Sequence, residues 1–189
     1  IALEVEGRIE VRMGSGIYVR QHDPKQLKRV SGEGPLETIR ARQVIEAELA
    51  ANAARRMKKA QIAGLRNALA LMQQEVDAGQ LPTRGDRLFH ERIAEASDNS
   101  VLRRIVGELF DERHNPLFEQ LGNHFETVSS WTIAIAEHAA IVEAIASHSP
   151  EAARAAMNTH LTNSHDRFTA AWPAIKPGAT RKTPRRKAA

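Results

Sequence analysis

The chain predicts an all-α fold: an antiparallel bundle of about six to seven helices, preceded by a β-hairpin. Three observations predict it. From Leu36 onward apolar residues recur at helical spacing almost without interruption. Breakers at Gly79, Asp98-Asn99, Pro116 and Ser149-Pro150 cut that stretch into segments joined by short loops, which makes successive helices antiparallel neighbours. Strand-like alternation is confined to GRIEVRMGSGIYVR, residues 7–20.

In that stretch Ile9 and Val11 precede a Gly-Ser-Gly turn, and Ile17 and Val19 follow it. This is the pattern of a hairpin, which is marginal in water without a partner surface. Residues 22–35 read as a linker containing the breaker cluster SGEGP. The first helix starts at Leu36, with Ile39, Val44, Ile45, Leu49 and the alanines at 50, 53 and 54 in one apolar stripe. A second runs from about Ala60 to Ala78, with Ile62, Leu65, Leu69 and Met72 inward and Gly79 as its stop. A third begins near Thr83 and ends by Ser97. Asp98 or Asn99 caps a fourth, which carries Val101, Leu102, Ile105, Val106, Leu109 and Phe110 and is broken by Pro116. A fifth spans about Phe125 to Ser147. The sixth has Ser149 as its cap and Pro150 at its first position, and ends before Pro173. The helical domain is thus 36–172, between a hairpin segment 1–21 with its linker and a tail, 173–189.

The tail explains the high isoelectric point of about 9.8. From Pro173 onward there are six basic residues and no acid; the remaining 172 residues hold 21 basic against 23 acidic side chains. The body is therefore not a basic DNA-binding surface, and the Pro-rich tail reads as disordered. No cysteine is present, which excludes disulfides and thiolate metal sites. No apolar run approaches the length that crosses a bilayer, and the N-terminus lacks the regions of a signal peptide, so a cytoplasmic protein is expected.

Chemistry concentrates in the histidines. Asp86 and His90 stand four apart in GDRLFHERI, on the helix face that also carries Ile93. His138 lies among Ile135, Ile141, Val142 and Ile145, and His160 beside Met157 and Leu161. A single core histidine usually bonds a backbone carbonyl. Four such groups on three inward faces would each need a buried partner, and a shared metal ion supplies one. Carboxylate plus three imidazoles suits zinc, with manganese or nickel as alternatives. His22, His148 and His165 fall in connectors or on another face. The chain has no Glu-x-x-His pair, no H-E-x-x-H, no G-x-G-x-x-G and no G-x-S-x-G.

These segments resemble a known family. GRIEVRMGSGIYVR resembles the wing of the winged helix-turn-helix domain in GntR-type transcription regulators. ETIRARQVIEAELAANAA, DRLFHERIAEASDNSVL, EHAAIVEAI and HSPEAARAAMNTHL resemble the FCD ligand-binding domain of their FadR subgroup. The likeness covers almost all of residues 4–170 and places Asp86, His90, His138 and His160 where the family's metal ligands fall. It implies a non-enzymatic domain that binds a divalent metal and a small carboxylate effector, a homodimer, and operator DNA as partner of the full-length protein. Arg12, Ser15 and Gly16 would be the wing's DNA contacts. The first helices of the DNA-binding domain would be missing, so this chain is not expected to bind an operator specifically. GPLETIRARQVIE and ERHNPLFEQLGNHF resemble the hexuronate-utilisation repressors, which implies a sugar-acid effector. Arg40 matches an arginine position of the family and would fork the carboxylate; Arg113, Asn115 and His124 would hold hydroxyls. The rival reading is a metal-dependent hydrolase of a carbohydrate acid or ester, which needs a general base. Glu91 and Glu137 each adjoin a ligand in sequence and so point to other faces.

Overall fold

The computed structural model describes residues 9–12, 16–19, 34–114 and 126–170. Strands β1 (Ile9–Arg12) and β2 (Gly16–Val19) pair antiparallel, with Ile9 opposite Val19 and Val11 opposite Ile17. This is a hairpin and no more; its reading as a wing rests on the resemblance alone. Ser15, Pro116, Asn115, His124 and the tail lie outside the described residues.

Six α-helices follow: α1 (Pro35–Arg56), α2 (Lys59–Asp77), α3 (Thr83–Glu95), α4 (Ser100–Asp111), α5 (Val128–Ala146) and α6 (Pro150–Ala170), with a 3₁₀ turn at Glu112–His114. Their ends follow local chemistry. Pro35 opens α1, one residue inside the expected linker, because its fixed φ suits a first helical position. Gly79 takes φ +71, and the bonds Gly79 N–H to Val76 O and Gln80 N–H to Glu75 O close α2 in a Schellman motif. Asn99, rather than Asp98, caps α4: its Oδ1 accepts from the N–H groups of Val101 and Leu102. Helix α5 starts at Val128, three residues later than the apolar pattern suggests, because Thr127 and Ser130 form a reciprocal capping box. Helix α3 ends at Glu95, two residues short of Ser97.

Helix α1 is the hub, packing most extensively on α6 and also touching α3, α4 and α5. The core joins Leu49, Ala50 and Ala53 of α1 to Leu65 and Met72, Phe89 and Ile93, Ile141 and Ile145, and Met157 and Leu161. Val44, expected in the apolar stripe of α1, is instead 76% exposed. The inward line is Ile39, Arg42, Glu46, Leu49 and Ala53, at helical spacing, so a charge pair that the expected stripe left out lies within the inward face.

Helix α5 corrects a second expectation. Its 19 residues are long and apolar enough, at mean hydropathy 1.2, to cross a membrane by length and composition. Its Ala- and Ile-rich composition has a different cause here: α5 is wedged among α1, α2 and α6 and carries the fully buried His138.

The approach of α3 to α2 depends on Gly85. A Cβ there would lie 2.7 Å from the Met72 amide nitrogen, and the Gly85 N–H donates to the Glu75 carboxylate at 3.0 Å. Gly85→Ala is expected to destabilise the domain by about 1–3 kcal/mol, the usual cost of overpacking, read as a lowered urea midpoint. An unchanged midpoint would show that the two helices separate freely.

Candidate metal centre

Three helices converge on one buried point. Asp86 and His90 from α3, His138 from α5 and His160 from α6 are 3%, 1%, 0% and 5% exposed. Each offers one ligand atom, and these atoms all lie within 4.8 Å of one another. His138 Nε2 is 3.1 Å from Asp86 Oδ1 and 3.2 Å from His90 Nε2, and His90 Nε2 is 3.6 Å from Asp86 Oδ1. The four residues singled out in the sequence therefore form one cluster.

The other ring nitrogens decide what this cluster is. His138 Nδ1 lies 2.7 Å from the Ala134 carbonyl, which only accepts, so that nitrogen carries hydrogen. His160 Nδ1 donates to Glu137 at 2.8 Å, and His90 Nδ1 donates to Glu46. Burial raises both carboxyls, but their partners win. Arg42 and His90 bring Glu46 to about 2, and hydrogen bonds from His160, Arg167 and Asn163 bring Glu137 to about 2. Both are thus ionised acceptors. With every Nδ1 committed as a donor, any of these rings in its neutral form turns an Nε2 lone pair toward the other rings and Asp86. Four electron-pair donors at such separations need a cation among them.

A metal ion fits that demand. The donor set is the N/O set of zinc, manganese or nickel, and each imidazole already has the outer hydrogen bond that fixes a ligating tautomer. Without a metal, protons fill the role. Burial pushes His90 down, yet the Glu46 carboxylate raises it above the ordinary histidine value, which favours a proton on that ring. Desolvation, with His138 nearby, pushes His160 down to about 3 and keeps it neutral. Asp86, raised by burial, is held well below the usual carboxylate range by the His138 and His90 rings beside it and by the Arg113 guanidinium.

These shifts carry a pH dependence. His160, Glu46 and Glu137 are depressed in the folded state, so their contribution is complete above the unfolded values. It is lost as pH falls, from 6.5 toward about 3 for His160 and from 4.5 toward about 2 for the two glutamates. His90 has the opposite sign: its contribution is present below 6.5 and lost as pH rises through its folded value. Asp86, also depressed, adds to the loss at the acid end, while the contribution of His90 stays complete throughout that range. The metal-free chain is expected to lose stability steadily from pH 6.5 to 3, read as urea midpoints after chelator dialysis; a flat profile would contradict the neutral, buried His160.

Beside the cluster lies a partly open cavity of about 540 Å³ including its mouth, lined by Arg42, Arg113, Glu126, Trp131, Asp86 and His160 among others. Arg42 donates from Nε to Glu46 at 2.6 Å, and its guanidinium stacks 4.1 Å over the Phe110 ring. Its Nη2 has no partner among the described residues, nor has Trp131 Nε1 or Thr38 Oγ1, all three buried. A buried guanidinium with a spare donor suits an anion.

The expected effector residues divide. Arg40 is exposed and does not line the cavity; on α1 it is Arg42, two residues on and about 200° round the helix, that does. Arg113 lines the cavity, but its fork is used: Nη1 donates to Asp86 at 2.6 Å and Nη2 to Glu126. It holds the Asp86 carboxylate in place. Sequence reasoning missed Glu46, Arg42 and Arg167, and weighed Glu137 only as a general base. The signal for the first two was a charged i, i+4 pair inside the inward stripe of α1. Glu137 does point away from His138, as expected, and for that reason meets His160 on α6. As candidate bases, Glu91 is paired with Arg87 and Glu137 with His160, Asn163 and Arg167.

Comparison with known proteins adds the family. The FCD domain family matches residues 37–163. An Exu regulon transcriptional regulator of Escherichia coli K12 is 37% identical over 175 residues, 86% of this chain and 65% of that protein. A Uxu operon transcriptional regulator of the same strain is 33% identical over 89% of this chain and 69% of its own length. The chain thus spans about two thirds of the curated relatives it matches. Among solved structures, a GntR protein of Streptococcus agalactiae superimposes with TM-score 0.61 at 22% identity, covering 87% of this chain and 77% of that one. E. coli McbR/YncC gives 0.63 at 17% identity over 90% and 77%. These two likenesses show the fold.

Proposed function

The chain belongs to the FCD-domain family of GntR-type regulators, and from that premise we propose that it is the metal- and effector-binding part of a bacterial transcription regulator that acts in the cytoplasm as a homodimer. The effector is a small carboxylate, of the sugar-acid class suggested by the likeness to the Exu and Uxu regulators. The observation that carries this reading is the joint arrangement of the cluster and the cavity. Each of the four buried side chains has its outer hydrogen bond made, to the Ala134 carbonyl, Glu46, Glu137 or Arg113, and Arg42 beside them keeps one donor unpaired among the described residues.

Asp86, His90, His138 and His160 would hold the ion, which supplies positive charge where a bare carboxylate would be costly to bury. The protein's own residues do the rest. Glu46, Glu137 and the Ala134 carbonyl hold the three imidazoles in ligating orientation; Arg113 holds Asp86; Arg42 reads the carboxylate. Coupling to DNA follows if the effector binds one arrangement of the DNA-binding heads better than another. The hairpin, as a wing, would belong to such a head, with Arg12, Ser15 and Gly16 at its DNA side. Hydrolysis is disfavoured because both acidic neighbours of the ligands are engaged in ion pairs.

The test is thermal unfolding of the chelator-dialysed chain with Zn²⁺, Mn²⁺ or Ni²⁺, then with a panel of uronates, aldonates and short acids. A ligand that binds only the folded state raises the midpoint with occupancy. The expected result is a rise with metal and a further rise with a carboxylate that EDTA removes. No response to any metal, together with no metal in the protein as isolated, overturns the reading.

A further inference from the structure

Trp131 has no role in holding the metal ligands, yet it lines the cavity and is only 6% exposed. Its Nε1 is buried without a partner among the described residues. An indole N–H can only donate, and buried ones are normally paired. The ring is fixed by its surroundings: the Arg113 guanidinium lies 5.6 Å from its centroid, and that guanidinium is itself held by Asp86 and Glu126. Trp131 stands seven residues before His138 on α5, hence on the same face, about 10 Å along the axis. A two-carbon acid anchored at the metal centre is too short to reach it, whereas a five- or six-carbon chain is not. Glu126, paired with Arg113, also lines the cavity.

We infer that Trp131 is the specificity-determining residue of the cavity: its indole N–H donates to a hydroxyl of a five- or six-carbon hydroxylated acid whose carboxylate is held at Arg42 and the metal centre. The inference rests on the carboxylate-effector reading and goes further by naming the group that separates hydroxylated acids from plain ones. A hydroxyl oxygen accepts the bond; an alkyl acid of equal length leaves the donor unpaired, and sites built this way reject such analogues strongly.

The experiment is calorimetric titration of the zinc-loaded chain with D-galacturonate, D-gluconate, hexanoate and acetate, in wild type, Trp131→Phe and Trp131→Tyr. Wild type is expected to prefer the better hydroxylated acid over hexanoate by about tenfold or more. Trp131→Phe should remove that preference and leave acetate unchanged, and Trp131→Tyr, which keeps a donor, should restore part of it. Equal weakening of acetate and the hydroxylated acids in Trp131→Phe would mean a packing role only and would overturn the inference. So would an intact preference in Trp131→Phe, or equal wild-type affinity for all four acids. If wild type binds none of the four, the carboxylate-effector reading fails first and takes the inference with it. Should Trp131→Phe not fold, the wild-type ranking and the tyrosine variant still decide.

Discussion

Replacing His138 with alanine is expected to weaken divalent-metal binding by about a hundredfold or more. Four-ligand structural zinc sites bind with about 10–16 kcal/mol, so one ligand carries roughly 3 kcal/mol, about two orders of magnitude in affinity. His138 is the member of the cluster with least freedom to be replaced. It is fully buried, its Nε2 approaches both Asp86 and His90, and its ring lies 4.2 Å, centroid to centroid, from His160. No other described carboxylate or imidazole has an atom in the cluster. Competition against a chromophoric chelator measures the loss directly, and the metal-dependent rise in melting midpoint should fall with it. The metal-free variant also loses the edge-on packing of His138 against Phe89, at 4.8 Å, so its own midpoint is the proper baseline. Undiminished metal stabilisation in His138→Ala would show that the imidazoles are core histidines and nothing more.

The second large effect is expected on stability. Arg42→Met removes one half of a buried ion pair and strands the Glu46 carboxylate, whose side chain is 2% exposed, with only His90 as partner. Breaking a buried pair from one side costs about 3–5 kcal/mol, because the remaining charge stays desolvated. In a chain of this size that is a fall of about 6–20 °C in melting midpoint. The double variant Arg42→Met with Glu46→Leu should regain much of that stability, since an apolar pair of similar volume carries no desolvation penalty. It should not regain carboxylate binding, and its metal affinity should be lower by about 10- to 100-fold through loss of the bond that orients His90. If Arg42→Met melts with the wild type, the guanidinium is solvated and cannot be the reader of a buried carboxylate.

Much of the site was legible before any coordinates. Asp86 and His90 are one helical turn apart, and His138 and His160 sit among aliphatics at helical spacing, so inward orientation could be read from periodicity. The outer shell was not legible in the same way. Glu46 and Arg42 look like surface charges until the register of α1 is known, and Arg40 looks equally suitable. A rotation of about 200° between the two positions decides which one enters the cavity. Glu137 was correctly seen to face away from His138, but which neighbour lay on that side depends on how α6 packs against α5. Arg113 was expected to hold effector hydroxyls, and the proximity of Asp86 and Glu126 commits its guanidinium to the protein instead.

Sequence by itself determined the helical class, the helix boundaries to within a few residues and the inward orientation of Asp86, His90, His138 and His160. Each of these depends on local chemistry: periodic apolar residues, caps such as Asn99, Thr127 and Gly79, and side-chain direction within one helix. Only the tertiary structure decided that the three faces meet at one point, that each Nδ1 finds an acceptor there, and that Arg42 and Trp131 keep donors unpaired beside it. Those facts depend on distances between residues far apart in the chain, set by the packing of α1 against α3, α5 and α6. No periodicity within a single segment encodes them.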